Sequence, residues 1–172
     1  MSDNRKLTVL SVLAYYNPAV LLRMTGLFYR RGFNIETMVA CQTDRPSLSR
    51  ITVTMTGQSA EIKQVRRQLL KLEDIAKVDV LQIEDCAASE LALIKVSANE
   101  SNRHQVLNAA QAYGCRVLDI GDSTITLEMT GRDEEVNRFV RYMQPFGIVE
   151  MGCTGVTALQ RGDTTIFDGL EG

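Results

Sequence analysis

The chain echoes itself. Leu91–Ala98 (LALIKVSA) resembles Leu7–Ala14 (LTVLSVLA), and Ile125–Gly131 (ITLEMTG) resembles Ile51–Gly57 (ITVTMTG). Two matched segments in the same order imply two units of similar design. Whatever the first half folds into, the second must be able to copy. With 172 residues of which 45% are apolar, the chain can fill two small cores and has no disordered character.

In the first unit, Leu7–Ala14 is apolar on both alternating faces, as expected of a strand in the middle of a sheet. The loop Tyr15–Ala19 leads into a helix over Val20–Arg31. Val20, Leu21, Met24, Leu27 and Phe28 form its apolar stripe, and Arg23, Arg30 and Arg31 face water. Asn17 and Pro18 suit the start of that helix: the Asn side chain accepts from free first-turn amides, and Pro lacks a donor that the helix cannot use there. Gly32 suits its left-handed end. A strand over Ile35–Gln42, a turn at Thr43–Ser47 and a strand over Ser49–Thr56 follow. In the last, Ile51, Val53 and Met55 point inward and Arg50, Thr52 and Thr54 outward. A helix opened by Ser59, with Ile62, Val65, Leu69 and Leu72 inward, leads to a strand over Val78–Ile83.

Strand, helix, strand, strand, helix, strand is the ferredoxin-like βαββαβ unit, two helices on one face of a four-stranded sheet. After a break at Glu84–Ala88 the second unit repeats it. Its helices are expected over Arg103–Tyr113 and Asp133–Met143, with strands over Leu91–Ala98, Arg116–Ile120, Ile125–Gly131 and Ile148–Leu159, the last interrupted at Gly152. The expectation is therefore α+β: two ferredoxin-like domains in tandem, residues 1–84 and 85–172. The polar tail from Arg161 is expected to fray unless a partner holds it.

A net charge of −2 gives no electrostatic footprint for nucleic acid. The third strand, Ser49–Thr56, also lacks the aromatics on which an RNA-binding sheet of this topology stacks bases. Cys41, Cys86, Cys115 and Cys153 are far apart, with neither Cys-x-x-Cys nor a Cys/His pair, so neither a zinc site nor a disulfide framework is expected. Residues 1–6 carry no apolar signal core, and no window approaches a membrane span, so a cytoplasmic protein is expected. Lone His104 has no nucleophile or second ligand near it in sequence. The pairs Arg30–Arg31 and Arg66–Arg67 read as solvated helix faces, and Met24, Met55, Met129 and Met143 as core filling.

The run Leu10–Leu13 (LSVL), the segment Gly26–Glu36 (GLFYRRGFNIE) and Thr43–Arg50 (TDRPSLSR) resemble the small, regulatory subunits of acetolactate synthase (acetohydroxyacid synthase). Asp119–Thr124, Gln144–Ile148 and Thr154–Gly162 resemble the C-terminal domain of that family, so the likeness spans nearly the whole chain. It implies an N-terminal ACT domain that dimerises edge to edge and binds an amino-acid effector, valine, at the dimer interface. It implies a non-catalytic chain that binds and activates the large catalytic subunit in branched-chain amino-acid synthesis. Thiamine diphosphate, magnesium and FAD would belong to that partner; this chain has no Gly-x-Gly-x-x-Gly or phosphate loop to hold them. A free-standing ACT-type sensor acting on another enzyme is the alternative.

By the same resemblance, Tyr16, Asn17, Pro18, Ala19, Val20 and Leu21 form one side of the effector site. Asn34 and Ile35 would reach it from the second subunit. The chemistry fits, since amides at a positive helix end suit a carboxylate and an apolar socket suits a side chain. Plain capping and turn formation account for the same residue types at 17, 18 and 34. The family pattern in the loop is Asn, any residue, Pro or Ser, then Gly; here it reads Tyr16, Asn17, Pro18, Ala19. Gly permits the closest backbone approach, and a Tyr does not replace an amide, so a weakened or altered valine response is expected. At Cys153 the family often has Arg.

Overall fold

The computed structural model describes residues 7–170 and divides into two compact units. The first comprises the chain up to Ala88 together with the segment from Val156 onward; the second is Ser89–Gly155.

In the first unit β1 (Leu7–Tyr15), α1 (Val20–Arg31), β2 (Ile35–Gln42), β3 (Leu48–Thr56), α2 (Ser59–Leu69) and β4 (Ile75–Gln82) follow the expected order. The sheet runs β2-β3-β1-β4, every neighbour antiparallel, so β1 is central as its two apolar faces require. Leu10, Val12 and Ala14 share one face of β1. They pack with Ile51, Val53 and Met55 against Val20, Met24, Leu27 and Phe28 of α1 and Ile62, Val65 and Leu69 of α2. Gly32 ends α1 at φ 67°, its amide donating to Tyr29 O and that of Phe33 to Phe28 O. One member of the expected stripe falls outside the core: Leu21 is exposed, because α1 meets the sheet along the 20-24-27-28 line.

The other face of the sheet is not the solvated surface that the alternation of β3 suggests. Thr52 and Thr54 are buried, Thr54 Oγ1 lying 2.6 Å from Thr37 Oγ1. Val9 packs with Cys86, Val156 and Ala158, and Leu13 and Leu48 pack with Ile166, flanked by Phe167 and Leu170. The C-terminal segment supplies this second cover. The expected final strand is therefore two strands, β8 (Ile148–Cys153) in the second unit and β9 (Thr157–Gln160) in the first. The break falls at 154–156, beyond Gly152. Arg161 N donates to Asp85 O, and the tail to Leu170 is docked through Ile166 instead of fraying. A domain boundary at 84 also cuts the chain short of Cys86, whose fully buried side chain belongs to the first unit.

The second unit contains most of β5 (Cys86–Ser97), then α3 (Arg103–Ala112), β6 (Arg116–Ile120), β7 (Thr124–Gly131), α4 (Asp133–Met143) and β8. Its order β6-β7-β5-β8 is that of the first sheet. The repeat extends to register: Leu7 pairs with Thr56, and its counterpart Leu91 pairs with Thr130. Ala92, Ile94, Val96, Ile125 and Leu127 meet Val106 and Ala110 of α3 and Val136, Phe139 and Met143 of α4. Glu135 Oε2 accepts from the Arg132 amide at 2.8 Å, closing the first turn of α4.

Candidate effector-binding site

The loop between β1 and α1 is tied at both sides. Tyr15 N donates to Asp74 O and Tyr16 N to Ser47 O, each at 2.8 Å, so the loop inherits its position from the ends of β3 and β4. Asn17 then folds the chain into the helix. Its Oδ1 accepts from Ala19 N at 3.0 Å, its carbonyl accepts from Val20 N, and its Nδ2 donates to Asp74 Oδ1 at 2.9 Å. Arg23 Nη1 approaches the other Asp74 oxygen at 3.1 Å. Both ends of the Asn17 amide are thus engaged inside the protein.

A cleft of about 200 Å³ opens beside this loop. Tyr16, Asn17, Pro18, Val20 and Leu21 line one wall; Ala40, Cys41 and Gln42 at the end of β2 and Ser49 and Ile51 of β3 line the other. Five of the eight expected residues are therefore together. The exposure of Leu21, out of place in a core stripe, is what brings its side chain to this wall. The amides of Leu21 and Leu22 in the first helical turn find no backbone partner among the described residues. They leave donors at the positive end of α1 next to the cleft.

Ala19 does not line the cleft. Its backbone, φ −79° and ψ −10°, is ordinary right-handed helix, so an alanine sits there without strain and glycine is not required by conformation. Asn34 and Ile35 are elsewhere. Ile35 pairs with Met55, which pairs with Thr8, whereas the loop begins beyond Tyr15. Seven residues of strand separate them, roughly 23 Å, so one protomer does not bring the two groups together. The wall from β2 and β3 is not legible in the sequence, because its small, mixed side chains carry no pattern; the pairing of Gln42 with Ser49 places them opposite the loop.

The four cysteines are free thiols, and among the described residues no group of three or more His, Cys, Asp or Glu is placed to hold a metal ion. No described helix is long and apolar enough to cross a membrane.

Comparison with known proteins agrees over both units. The family described as AHAS small subunit-like ACT domain matches residues 10–77, and that described as the small subunit of acetolactate synthase matches 89–162. The acetolactate synthase small subunit of Mycolicibacterium smegmatis is 34% identical over 162 residues, 94% of this chain and 95% of the relative. The chain belongs to the acetolactate synthase small-subunit family. A probable small subunit from Methanothermobacter thermautotrophicus is 35% identical over 92% of this chain and 95% of its own. The crystal structure of the small subunit from Thermotoga maritima superposes with a TM-score of 0.85 at 26% identity, covering 92% of this chain and 99% of that one. The first unit of this small-subunit family member is accordingly an ACT domain, and the tandem α+β architecture is that of its relative.

The Cys153 departure has a local setting. Cys153 pairs with Ala92 across β8 and β5, and Glu90 and Asp133 both lie near enough to push its thiol pKa up, after burial as the larger cause. Glu90 is itself buried, and burial followed by the charge of Asp133 holds its carboxyl above the usual range.

Proposed function

We propose that this chain is the regulatory subunit of an acetolactate synthase, itself non-catalytic, which binds and activates the large catalytic subunit in the synthesis of valine, leucine and isoleucine. What carries the reading is end-to-end likeness to small subunits, 34% identity across 94% of this chain and 95% of the relative. The thiamine diphosphate, magnesium and FAD of the reaction belong to the catalytic partner in this reading.

The effector is a branched-chain amino acid, valine, held at the β1–α1 loop of one protomer with Asn34 and Ile35 of a second. The roughly 23 Å separation within one chain supports a homodimer, since only a second copy completes that set. β2 is an edge strand, and Leu22 and Tyr29 of α1 are 75% and 88% exposed, which suits a continuous sheet across two ACT domains. Effector binding and productive association are reciprocally linked: if valine weakens activation, association weakens valine binding by the same factor.

The test is acetolactate formation by the cognate catalytic subunit, with and without this chain, across a valine titration. Activation that valine reverses supports the whole reading. Activation insensitive to valine supports the subunit assignment and assigns the lost response to the β1–α1 loop, and the effector is rejected if Tyr16→Asn with Ala19→Gly does not restore inhibition; no activation rejects the subunit assignment in favour of a free-standing amino-acid sensor.

A further inference from the structure

A second cleft of the first unit, about 490 Å³, lies on the sheet face opposite the helices, between the sheet and the C-terminal segment. That volume is in the range of small-molecule sites. Its apolar walls include Leu81, Leu159, Ile166 and Phe167, and its floor carries Ser11, Arg50 and Asp79. The cover is a fixed structure. Asp168 accepts from Thr165 N at 3.0 Å and from Thr165 Oγ1 at 2.6 Å, Lys77 Nζ donates to Asp168 O at 2.9 Å, and Arg45 stacks 4.2 Å from the Phe167 ring centre. Ile166 anchors the segment in the core with Leu13 and Leu48.

Arg50 gives the cleft its chemistry. One guanidinium N–H donates to Ser11 Oγ at 2.8 Å, and Ser11 is buried. Its other donors have no hydrogen-bond partner among the described residues, and no described carboxylate lies within ion-pair distance of it. Burial disfavours its charge, which Cys41 and Asp79 only partly offset. A half-buried guanidinium with open donors beside four apolar side chains is complementary to a carboxylate on a short hydrocarbon chain. Asp79, whose one ion-pair partner among the described residues is Lys77 at 3.5 Å, lines the same cleft as an acceptor for an ammonium group.

We propose that this cleft is a ligand site for a small apolar carboxylate, Arg50 binding the carboxylate and Leu81, Leu159, Ile166 and Phe167 enclosing the chain. It is separate from the effector cleft, with which it shares only Cys41 and Gln42 at the end of β2. The carboxylate belongs either to a plain organic acid or to an α-amino acid, whose ammonium would meet Asp79.

Methyl and amide NMR of the full chain, titrated with 3-methylbutanoate and separately with L-leucine, tests this. Saturable shifts at Leu81, Leu159 and Ile166 are expected, weakened at least about tenfold in Arg50→Gln, as loss of a charged hydrogen bond implies. Thr164→Trp, which fills the cleft from an exposed position, should abolish them without touching the floor. Asp79→Asn separates the two sources: loss of L-leucine alone points to amino acids, and no effect on either probe to plain acids. Shifts confined to Tyr16–Leu21, no shifts with either probe, or binding that survives both Arg50→Gln and Thr164→Trp would overturn the assignment.

Discussion

Asn17 and Asp74, 57 residues apart in sequence, are joined by a 2.9 Å hydrogen bond from Nδ2 to Oδ1, and that bond sets the shape of the β1–α1 loop. Asp74 is largely buried and also faces Arg23 at 3.1 Å. Asp74→Ala leaves the Asn17 amide and the Arg23 guanidinium without their acceptor. The expected loss is about 1–3 kcal/mol in urea unfolding, since a partly buried donor is left unmatched. Asp74→Asn keeps one oxygen acceptor and should lose less. Equal losses in the two variants would show that charge, not the bond to Asn17, is what Asp74 supplies.

Ile166→Ala tests the docking of the tail. Ile166 is 5% exposed against Leu13 and Leu48, so truncation should cost about 2–4 kcal/mol, the range for a buried Ile. A frayed tail would show a change within about 0.5 kcal/mol, as surface substitutions do. Chemical denaturation of the two proteins, read at the transition of the first unit, decides between them.

That tail is also the part of the fold least legible in the sequence. The repeat and the alternation of apolar residues were enough for both sheets, because each strand pair is local in pattern and its register follows from which face is buried. They did not show that residues 156–170 return to the first sheet. Thr52 and Thr54 look like solvent-facing residues of a half-buried strand, and threonine is compatible with either state; both are buried on the sheet face where Val156, Ala158 and Ile166 pack. That Tyr16, Asn17, Pro18, Val20 and Leu21 would come together at the start of α1 was legible through helix-start chemistry and family likeness. Asp74 was not, since one Asp in a turn carries no signal until the fold puts Asn17 beside it. The cleft over Arg50 was hidden for the same reason as the buried threonines.

Glu90 is predicted to be a liability at neutral pH. Its carboxyl titrates above the ordinary value of 4.5, through burial first and the charge of Asp133 second. The folded state therefore holds the proton more tightly than the unfolded state. Stability is highest below pH 4.5 on this group's account and falls as pH rises through its folded pKa. Glu90→Gln should accordingly raise the thermal midpoint at pH 7 and make no difference in acid. Cys153→Arg should raise it too, by giving Glu90 and Asp133 a cation where both already act on the Cys153 thiol. In the double variant the two gains should fall short of additive, because each removes the same unpaired charge. Full additivity would mean that position 153 does not address Glu90.

The valine response is predicted to improve in the double variant Tyr16→Asn, Ala19→Gly. Asn17 cannot stand in for the amide expected at position 16, because its oxygen accepts from Ala19 N and its nitrogen donates to Asp74. Tyr16, 61% exposed at the cleft wall, offers a ring and a hydroxyl where a compact donor and acceptor is needed. Position 19 has right-handed helical dihedrals, so Gly there gains nothing in strain and costs about 0.5–1 kcal/mol of stability through the unfolded chain. Since Ala19 does not line the cleft, the gain is expected to come from the amide at position 16. The expected outcome is activation of the catalytic subunit like that of the unsubstituted chain, with valine inhibition setting in at least about tenfold lower, the equivalent of one regained charged hydrogen bond. Calorimetric titration with valine should show the same change in affinity, which places the gain in binding and not in coupling to the catalytic subunit. Unchanged valine affinity in the double variant, or tight inhibition of the unsubstituted chain from the outset, would mean that Tyr16 and Ala19 do not limit the site.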